Sequence, residues 1–301
     1  MAFDPTLAVK LVPLYLLVAA GFVLGRVFKV DSRDLGKLAL YLLSPAVVFK
    51  GFYGARLDTA LVALPLAVFA LASVAALLAH KGAARLWSDG RERIAAFTVA
   101  TGNTGFFGIP ACLSLVGPEA LPVAVLVSFG ATAYENTVGF YVVARHGAGV
   151  AAALMRVARY PGLHACWLGA LLNATHTAVP VPVSQAVELL AAAYVPVGMM
   201  IVGLGLAAVK RLRLDLGFTA FAFACKFLAW PLLALAVVRL LPGLDLTTQR
   251  VLMVEALTPL AAVTVVHATL NDIHPDRAAV AVAASTLFAL VWLPVVYGAL
   301  W

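Results

Sequence analysis

The segment TGNTGFFGIP, residues 101–110, decides how this chain is read. Its ten positions hold three glycines, a proline, two threonines and an asparagine, within a run that is otherwise apolar. Gly102, Gly105 and Gly108 weaken a helix and remove side-chain bulk, and Pro110 lacks an N–H donor and favours the first turn of a new helix. Irregular backbone at membrane depth must be buried in protein or line water, because lipid offers no hydrogen-bond partner. The stretch therefore predicts a broken span. A cytoplasmic half ends near Gly102, a few residues are unwound, and a short outer half begins near Ile109–Pro110.

Composition places the stretch in lipid. Of the 301 residues 63% are hydrophobic and only 12% charged, and the mean hydropathy is +1.01. That is more apolar surface than a soluble core needs, and apolar runs of about 20 residues are the mark of membrane spans. The net charge of +7 lies in short segments between apolar runs, the pattern of cytoplasmic loops and not of a nucleic-acid surface. Cys112, Cys166 and Cys225 sit in apolar stretches without a CxxC, which supports neither disulfides nor a metal site. The first apolar run has no basic leader and no small-residue cleavage site, so it reads as a retained span.

Ten candidate spans follow, at 11–28, 38–54, 60–79, 94–116, 121–143, 162–178, 183–207, 216–239, 249–270 and 278–300. Loops after the odd-numbered spans hold fifteen of the 21 Lys and Arg, and the opposite side holds five. The bias puts the odd loops in the cytoplasm and both termini outside. The chain then divides into residues 1–147 and 148–301, five spans each, and an odd number forces the halves into opposite orientations. Pro45 and Pro196 are 151 residues apart, and Pro110 and Pro259 are 149 apart, in equivalent spans. Interrupted segments at corresponding places in two halves point to a transporter site. The expected fold is all-α and integral to the membrane: ten helices as two inverted five-helix repeats, with broken helices 4 and 9 crossing.

In LTPLAAVT, residues 257–264, Pro259 is expected to break span 9 as Pro110 breaks span 4. Crossed breaks leave four helix ends near the midplane. Ends that begin at the prolines present N–H groups and partial positive charge, and Asn103, Thr104 and Thr258 add polar contacts. Such a site suits a small anion, in particular a carboxylate. The bland alternative, glycines that merely let helices pack closely, leaves Asn103, Pro110 and the matching break unexplained.

These stretches resemble the auxin efflux carrier family, which includes plant PIN-type carriers and many bacterial permeases. GNTGFFGIP is similar to its span-4 motif, LLVAAGFVLGRVFKV (16–30) and LALYLLSPAVVFKGF (38–52) to its opening spans, AAYVPVGMMIVGLGLA (192–207) to span 7, and TPLAAVTVVHATL (258–270) to span 9. The resemblance implies a fold akin to bile-acid symporters and sodium/proton antiporters. It also implies a scaffold of spans 1, 2, 6 and 7, a transport domain of spans 3–5 and 8–10, elevator-like motion and commonly a dimer. Matching positions carry Asn103, Gly105, Gly108, Pro110 and Pro259 into the implied substrate site. The chain lacks the long hydrophilic central loop of plant members, so the auxin label does not name its substrate.

Ionisable groups inside spans are costly and are functional candidates by default. Glu135 lies in the run YENT of span 5, Glu255 one turn before Pro259, and Lys226 near the middle of span 8. A carboxyl here can carry a coupling proton, and Lys226 can neutralise it or attract an anion; a structural ion pair is the competing role. Ser44, Asn173 and Thr175 read as packing residues, Glu188 as an interfacial group, and the histidines form no metal constellation.

The sequence thus predicts a secondary transporter of the cell membrane for a small organic anion, coupled to protons or sodium or driven by potential. No cofactor, metal or nucleic acid is expected. A sodium/proton antiporter or sodium-coupled bile-acid-type symporter of the same fold is the near alternative, though neither broken span carries paired aspartates. No G-x-x-x-x-G-K-[ST], G-x-S-x-G or H-E-x-x-H occurs, which argues against ATP drive and against an intramembrane enzyme.

Overall fold

The structure is a computed structural model that describes residues 5–55, 59–144, 155, 158–209, 214–240 and 243–301. Arg56, Arg145, His146, Arg156, Lys210, Arg211 and Arg213, used above to read the loops, lie outside the described residues. The described chain is helical, and its one isolated β-bridge joins Gly102 antiparallel to Leu260.

Among the described residues six helices are long and apolar enough to cross a membrane: Val9–Arg26, Ser32–Gly54, Ala63–Ala83, Val181–Ala208, Leu216–Arg239 and Pro275–Leu300. They fall on expected spans 1, 2, 3, 7, 8 and 10. At the other four places the helices are shorter. The chain breaks between Thr98 and Thr104 and between Ala256 and Val263, kinks at Thr137 (φ −119°, ψ −92°), and in span 6 stays helical only over Pro161–Ala174. In chain order the helices are α1 (Pro5–Arg26), α2 (Ser32–Gly54), α3 (Thr59–Ala83), α4 (Arg91–Thr98), α5 (Ile109–Leu115), α6 (Leu121–Asn136), α7 (Val138–Val143), α8 (Pro161–Ala174), α9 (Val181–Ala208), α10 (Leu216–Arg239), α11 (Leu246–Ala256), α12 (Val263–Leu270) and α13 (Pro275–Leu300).

Proline placement explains three local distortions. Wide π turns occupy Ala39–Leu43, Thr104–Gly108 and Ala224–Ala229, and each ends two residues before a proline: Pro45, Pro110 and Pro231. A proline cannot donate to the carbonyl four residues back and its ring crowds that carbonyl. Widening the preceding turn relieves both faults without ending the helix. Pro196, expected to mirror Pro45, instead lies inside the continuous α9.

Small residues set how the helices meet. α1 lies against α9, where a β-carbon on Gly21 would strike the Met200 carbonyl and one on Gly203 the Val18 carbonyl. Gly21 and Gly25 on α1 face Gly203 and Ala207 on α9 in the small-xxx-small spacing that lets membrane helices approach closely. α8 packs on α2 through Gly169, and Asn173 donates from Nδ2 to Phe52 O (2.9 Å) and Ala55 O (2.7 Å). Asn173 therefore closes the C-terminal end of α2, in keeping with a packing role. α1, α2, α8 and α9 form one packing group. α3, α4, α6 and α7 form another with α10 to α13, in which Gly130 of α6 meets Pro65 of α3. The two groups meet where α9 packs on the π turn Thr104–Gly108, α2 on α6 and α1 on α5.

Away from the breaks, one charged cluster ties loop ends together. Asp215 caps α10 by accepting from Phe218 N (3.0 Å) and also accepts from Arg91 (2.9 Å) and Arg277 (2.6 Å). Arg91 bonds Asp89 as well, and its hydrogen bond holds the Asp89 carboxyl down to about 2. Burial pushes Asp215 up, but the Phe218 amide and the Arg91 and Arg277 guanidinium groups outweigh it and hold it below the usual range. At the other rim, exposed Glu188 pairs with Lys50.

Two outcomes follow. Gly21→Leu forces α1 from α9 and is expected to cost about 1–3 kcal/mol or more, read as a lower melting temperature in detergent; Gly205→Leu, with open space around Gly205, costs little. Because Asp89 and Asp215 are depressed, their ionic contribution is complete above about pH 4 and fades as pH falls towards 2. Asp215→Asn is then expected to lower the melting temperature at pH 7 and to cost progressively less as the pH falls below the usual carboxylate range.

Candidate functional site

The first break begins where α4 runs out. Thr101 returns its hydroxyl to Phe97 O (2.6 Å) and Thr98 to Ala95 O (2.7 Å), occupying carbonyls that a continuing helix would use. The helix ends at Thr98, four residues before the expected Gly102. It restarts at Thr104, not at Ile109–Pro110, because Asn103 caps it. Asn103 Oδ1 accepts from Phe106 N (3.2 Å), and its backbone carbonyl accepts from Gly108 N (2.9 Å) and Phe107 N (3.2 Å). Pro110 sits within the restarted helix, near the start of α5, its missing donor absorbed by the π turn.

The second break supplies what the first one lacks. Asn103 N donates to Pro259 O (2.8 Å), and Ala261 N donates to Thr101 O (3.4 Å), so the two breaks cross as a short antiparallel pair. Thr258 closes α11 by donating its hydroxyl to Glu255 O (2.7 Å). Leu260 N donates to Ser285 Oγ (3.0 Å) on α13. The free N–H groups expected at proline-started ends are therefore largely taken within the protein, by Asn103, by the opposite break and by Ser285.

Glycine in the motif makes room for polar side chains. A β-carbon on Gly102 would lie 2.5 Å from Thr258 Oγ1 and 2.6 Å from Lys226 Nζ, and one on Gly105 2.8 Å from the Tyr194 hydroxyl. One on Gly108 would collide with the Glu255 carboxyl. Lys226 is 0% exposed and Glu255 2%. Among the described residues Lys226 Nζ and Glu255 Oε2 have no hydrogen-bond partner, and Glu255 Oε1 faces the Cys112 thiol at 3.7 Å. Among the described residues no ion pair within 4.0 Å joins Lys226 to either Glu135 or Glu255.

Glu135 is partly exposed, on α6 beside the π turn Thr104–Gly108. Its neighbours turn elsewhere: Tyr134 donates to Phe97 O (3.3 Å) and Asn136 to Thr132 O (2.9 Å). Of the YENT run only the Glu135 side chain makes no hydrogen bond among the described residues. Asn103, Gly105 and Phe106 are also partly exposed, while Thr104, Gly108, Pro110, Thr258 and Pro259 are buried.

The structure thus brings together Asn103, Thr104, Gly105, Gly108, Thr258 and Pro259, with Lys226 and Glu255 beneath them and Pro110 one turn beyond. Sequence reading missed Tyr194, whose ring lies 5.5 Å from that of Phe106, as well as Cys112 and Ser285. Ser285–Thr286, a polar pair inside an apolar helix, and Pro231, five residues after Lys226, were the available signals. Ser44 meets only the Tyr160 hydroxyl (3.4 Å), and His267 lies between the rings of Phe97 and Phe140.

Among the described residues, six crossing-length helices and no strand, with two breaks that cross, make this a multi-pass membrane protein. Residues 150–297 match the family model described as membrane transport protein. A protein named an uncharacterized transporter from Methanocaldococcus jannaschii is 25% identical over 291 residues, 92% of this chain and 93% of its own. Another of that description from Methanothermobacter thermautotrophicus is 26% identical over 278 residues, 90% of each chain. The matched second half thus resembles the membrane transport protein family, that of the auxin efflux carriers.

Ser285→Ala would leave Leu260 N–H without its partner beside the crossing. The expected cost is about 1–3 kcal/mol, seen as a lower melting temperature than wild type, whereas Ser285→Thr, which keeps the hydroxyl, retains most of the stability.

Proposed function

We propose that the protein is a secondary transporter of a small organic anion, a carboxylate, bound where the two breaks cross. The observation that carries this is Lys226: its ammonium is wholly buried, has no hydrogen-bond partner among the described residues and lies against Gly102 of the break. A buried ammonium without a hydrogen-bond partner is costly by several kcal/mol or so, Glu255 and Glu135 offset that only through space, and a bound anion offsets more of it. The Asn103 side-chain amide, with Oδ1 used in capping, keeps its Nδ2 as a donor on the partly exposed side.

The wider scheme is part of the same proposal. Ten crossings form two inverted five-helix repeats, residues 1–147 and 148–301, with both termini outside the cell membrane. The α1, α2, α8 and α9 group serves as scaffold in a homodimer, and the remaining helices carry the substrate across it by an elevator-type motion. The packing of each group mainly within itself supports that division. Glu135 and Glu255 are the candidates for proton coupling, and the absence of a direct Lys226 ion pair favours coupling over a structural lock. Sodium coupling of the bile-acid type and sodium/proton antiport are the rival outcomes.

Charge movement in proteoliposomes, with small carboxylates applied at two pH values, tests the reading. Carboxylate-specific currents are expected, at least about tenfold weaker in affinity for Asn103→Ala, in line with loss of a charge-assisted hydrogen bond. Responses to sodium or pH steps alone would replace this reading with the antiporter.

A further inference from the structure

The inference here rests on that carboxylate reading and names which carboxylates the crossing takes. Three ionisable side chains surround the break, and their accessibilities differ. Glu255 is sealed: one oxygen faces the Cys112 thiol, and the other lies against Gly108. Lys226 is also sealed, but directly beneath Gly102. Glu135 alone is partly exposed, and no hydrogen bond or ion pair engages its carboxyl among the described residues. It acts electrostatically on Lys226, and its helix packs on the π turn that Asn103 caps.

The break therefore presents two poles. One is Asn103 Nδ2 with the field of Lys226; the other is the partly exposed Glu135 carboxyl on the helix packed against the turn. A simple monocarboxylate engages only the first pole. A dicarboxylate brings its second negative group towards Glu135, with the Glu255 carboxyl behind Gly108, so two acidic groups face it and one ammonium helps it. A ligand with a carboxylate and an ammonium a few bonds apart matches both poles and leaves neither charge uncompensated.

We propose that the crossing recognises a small zwitterion, an amino acid or similar ammonium carboxylate, with its carboxylate at Asn103 over Lys226 and its ammonium at Glu135. Glu135 is then a specificity residue, and an aromatic or aliphatic side chain on the ligand would lie towards Phe106 and Tyr194.

The test compares matched series in proteoliposomes containing the full chain. Glycine, β-alanine and γ-aminobutyrate are set against acetate, propionate and butyrate, and against malonate and succinate. The affinity of the best zwitterion is expected to exceed that of its matched monocarboxylate at least tenfold, with the dicarboxylates weakest. Glu135→Gln is expected to bring zwitterions down to the monocarboxylate level while monocarboxylates still bind; Glu188→Gln, at the rim, is expected to keep the wild-type order. Melting temperatures of all variants show that each is folded, and Glu135→Asp is expected to restore part of the preference. Carboxylate currents with no gain from the ammonium, or a dicarboxylate preference, would overturn the zwitterion and leave the carboxylate reading standing. Loss of monocarboxylate and zwitterion uptake alike in folded Glu135→Gln would overturn it too, and would make Glu135 a proton carrier. Silence of the folded wild-type protein to every compound would overturn both readings.

Discussion

Two backbone hydrogen bonds, Asn103 N–H to Pro259 O and Ala261 N–H to Thr101 O, make the rest of the architecture possible. A helix interrupted within lipid leaves donors and acceptors that cannot turn to water, and each unpaired group costs several kcal/mol or so. Neither break is viable alone. Each is the other's hydrogen-bond partner, so they must lie at the same depth and run antiparallel. Ser285 completes the arrangement by taking Leu260 N–H from a third helix. The need to satisfy backbone groups, more than attraction between side chains, is what brings α4, α11 and α13 to one place.

The prolines act at one remove. Pro45, Pro110 and Pro231 each produce a wide turn just ahead of themselves and leave the helix continuous. Their effect is to rotate the residues before them. Lys226 lies within the turn preceding Pro231, and Gly105 within the turn preceding Pro110. A shift of one residue in register swings a side chain by about 100 degrees around a helix, from the 3.6-residue period. The proline after Lys226 thus belongs to the machinery that sets the ammonium against Gly102, although it touches nothing there itself.

How much of this was legible in the sequence differs by feature. The breaks were legible, because glycine, proline, threonine and asparagine inside an apolar run leave few physical alternatives. The cell of polar groups was partly legible, since Glu135, Glu255 and Lys226 stand out in apolar helices. Their distinct environments were not, because partial exposure of Glu135 and burial of Glu255 depend on which helix faces meet. The helix restarts at Thr104 and not at Ile109: Pro110 looks like a first-turn residue, whereas the cap is supplied six residues before Ile109 by Asn103, a side chain equally suited to binding ligand. Asn103 shows why polar residues at breaks resist assignment, as its two ends do different work. Tyr194 could not be found from spacing, since it comes from a helix whose own pattern is wholly apolar around it.

The glycines are needed for volume and not for conformation. Among the described residues the left-handed glycines are Gly90, Gly117 and Gly243, all outside helices, whereas Gly105 and Gly108 lie in helical backbone. What they share is a polar neighbour occupying the space of the missing β-carbon. The origin of those neighbours matters for any motion of one group past the other. Lys226, Thr258 and Glu255 belong to the same packing group as the break, while Tyr194 belongs to α9 in the other. In an elevator motion of the kind proposed, the Lys226–Gly102 and Glu255–Gly108 contacts travel intact, and the Tyr194–Gly105 contact is the one that must part. The charges that define the ligand would then keep their geometry on both sides of the membrane. The tyrosine, sliding over the smooth patch left by Gly105, would be the element that distinguishes one end of the journey from the other.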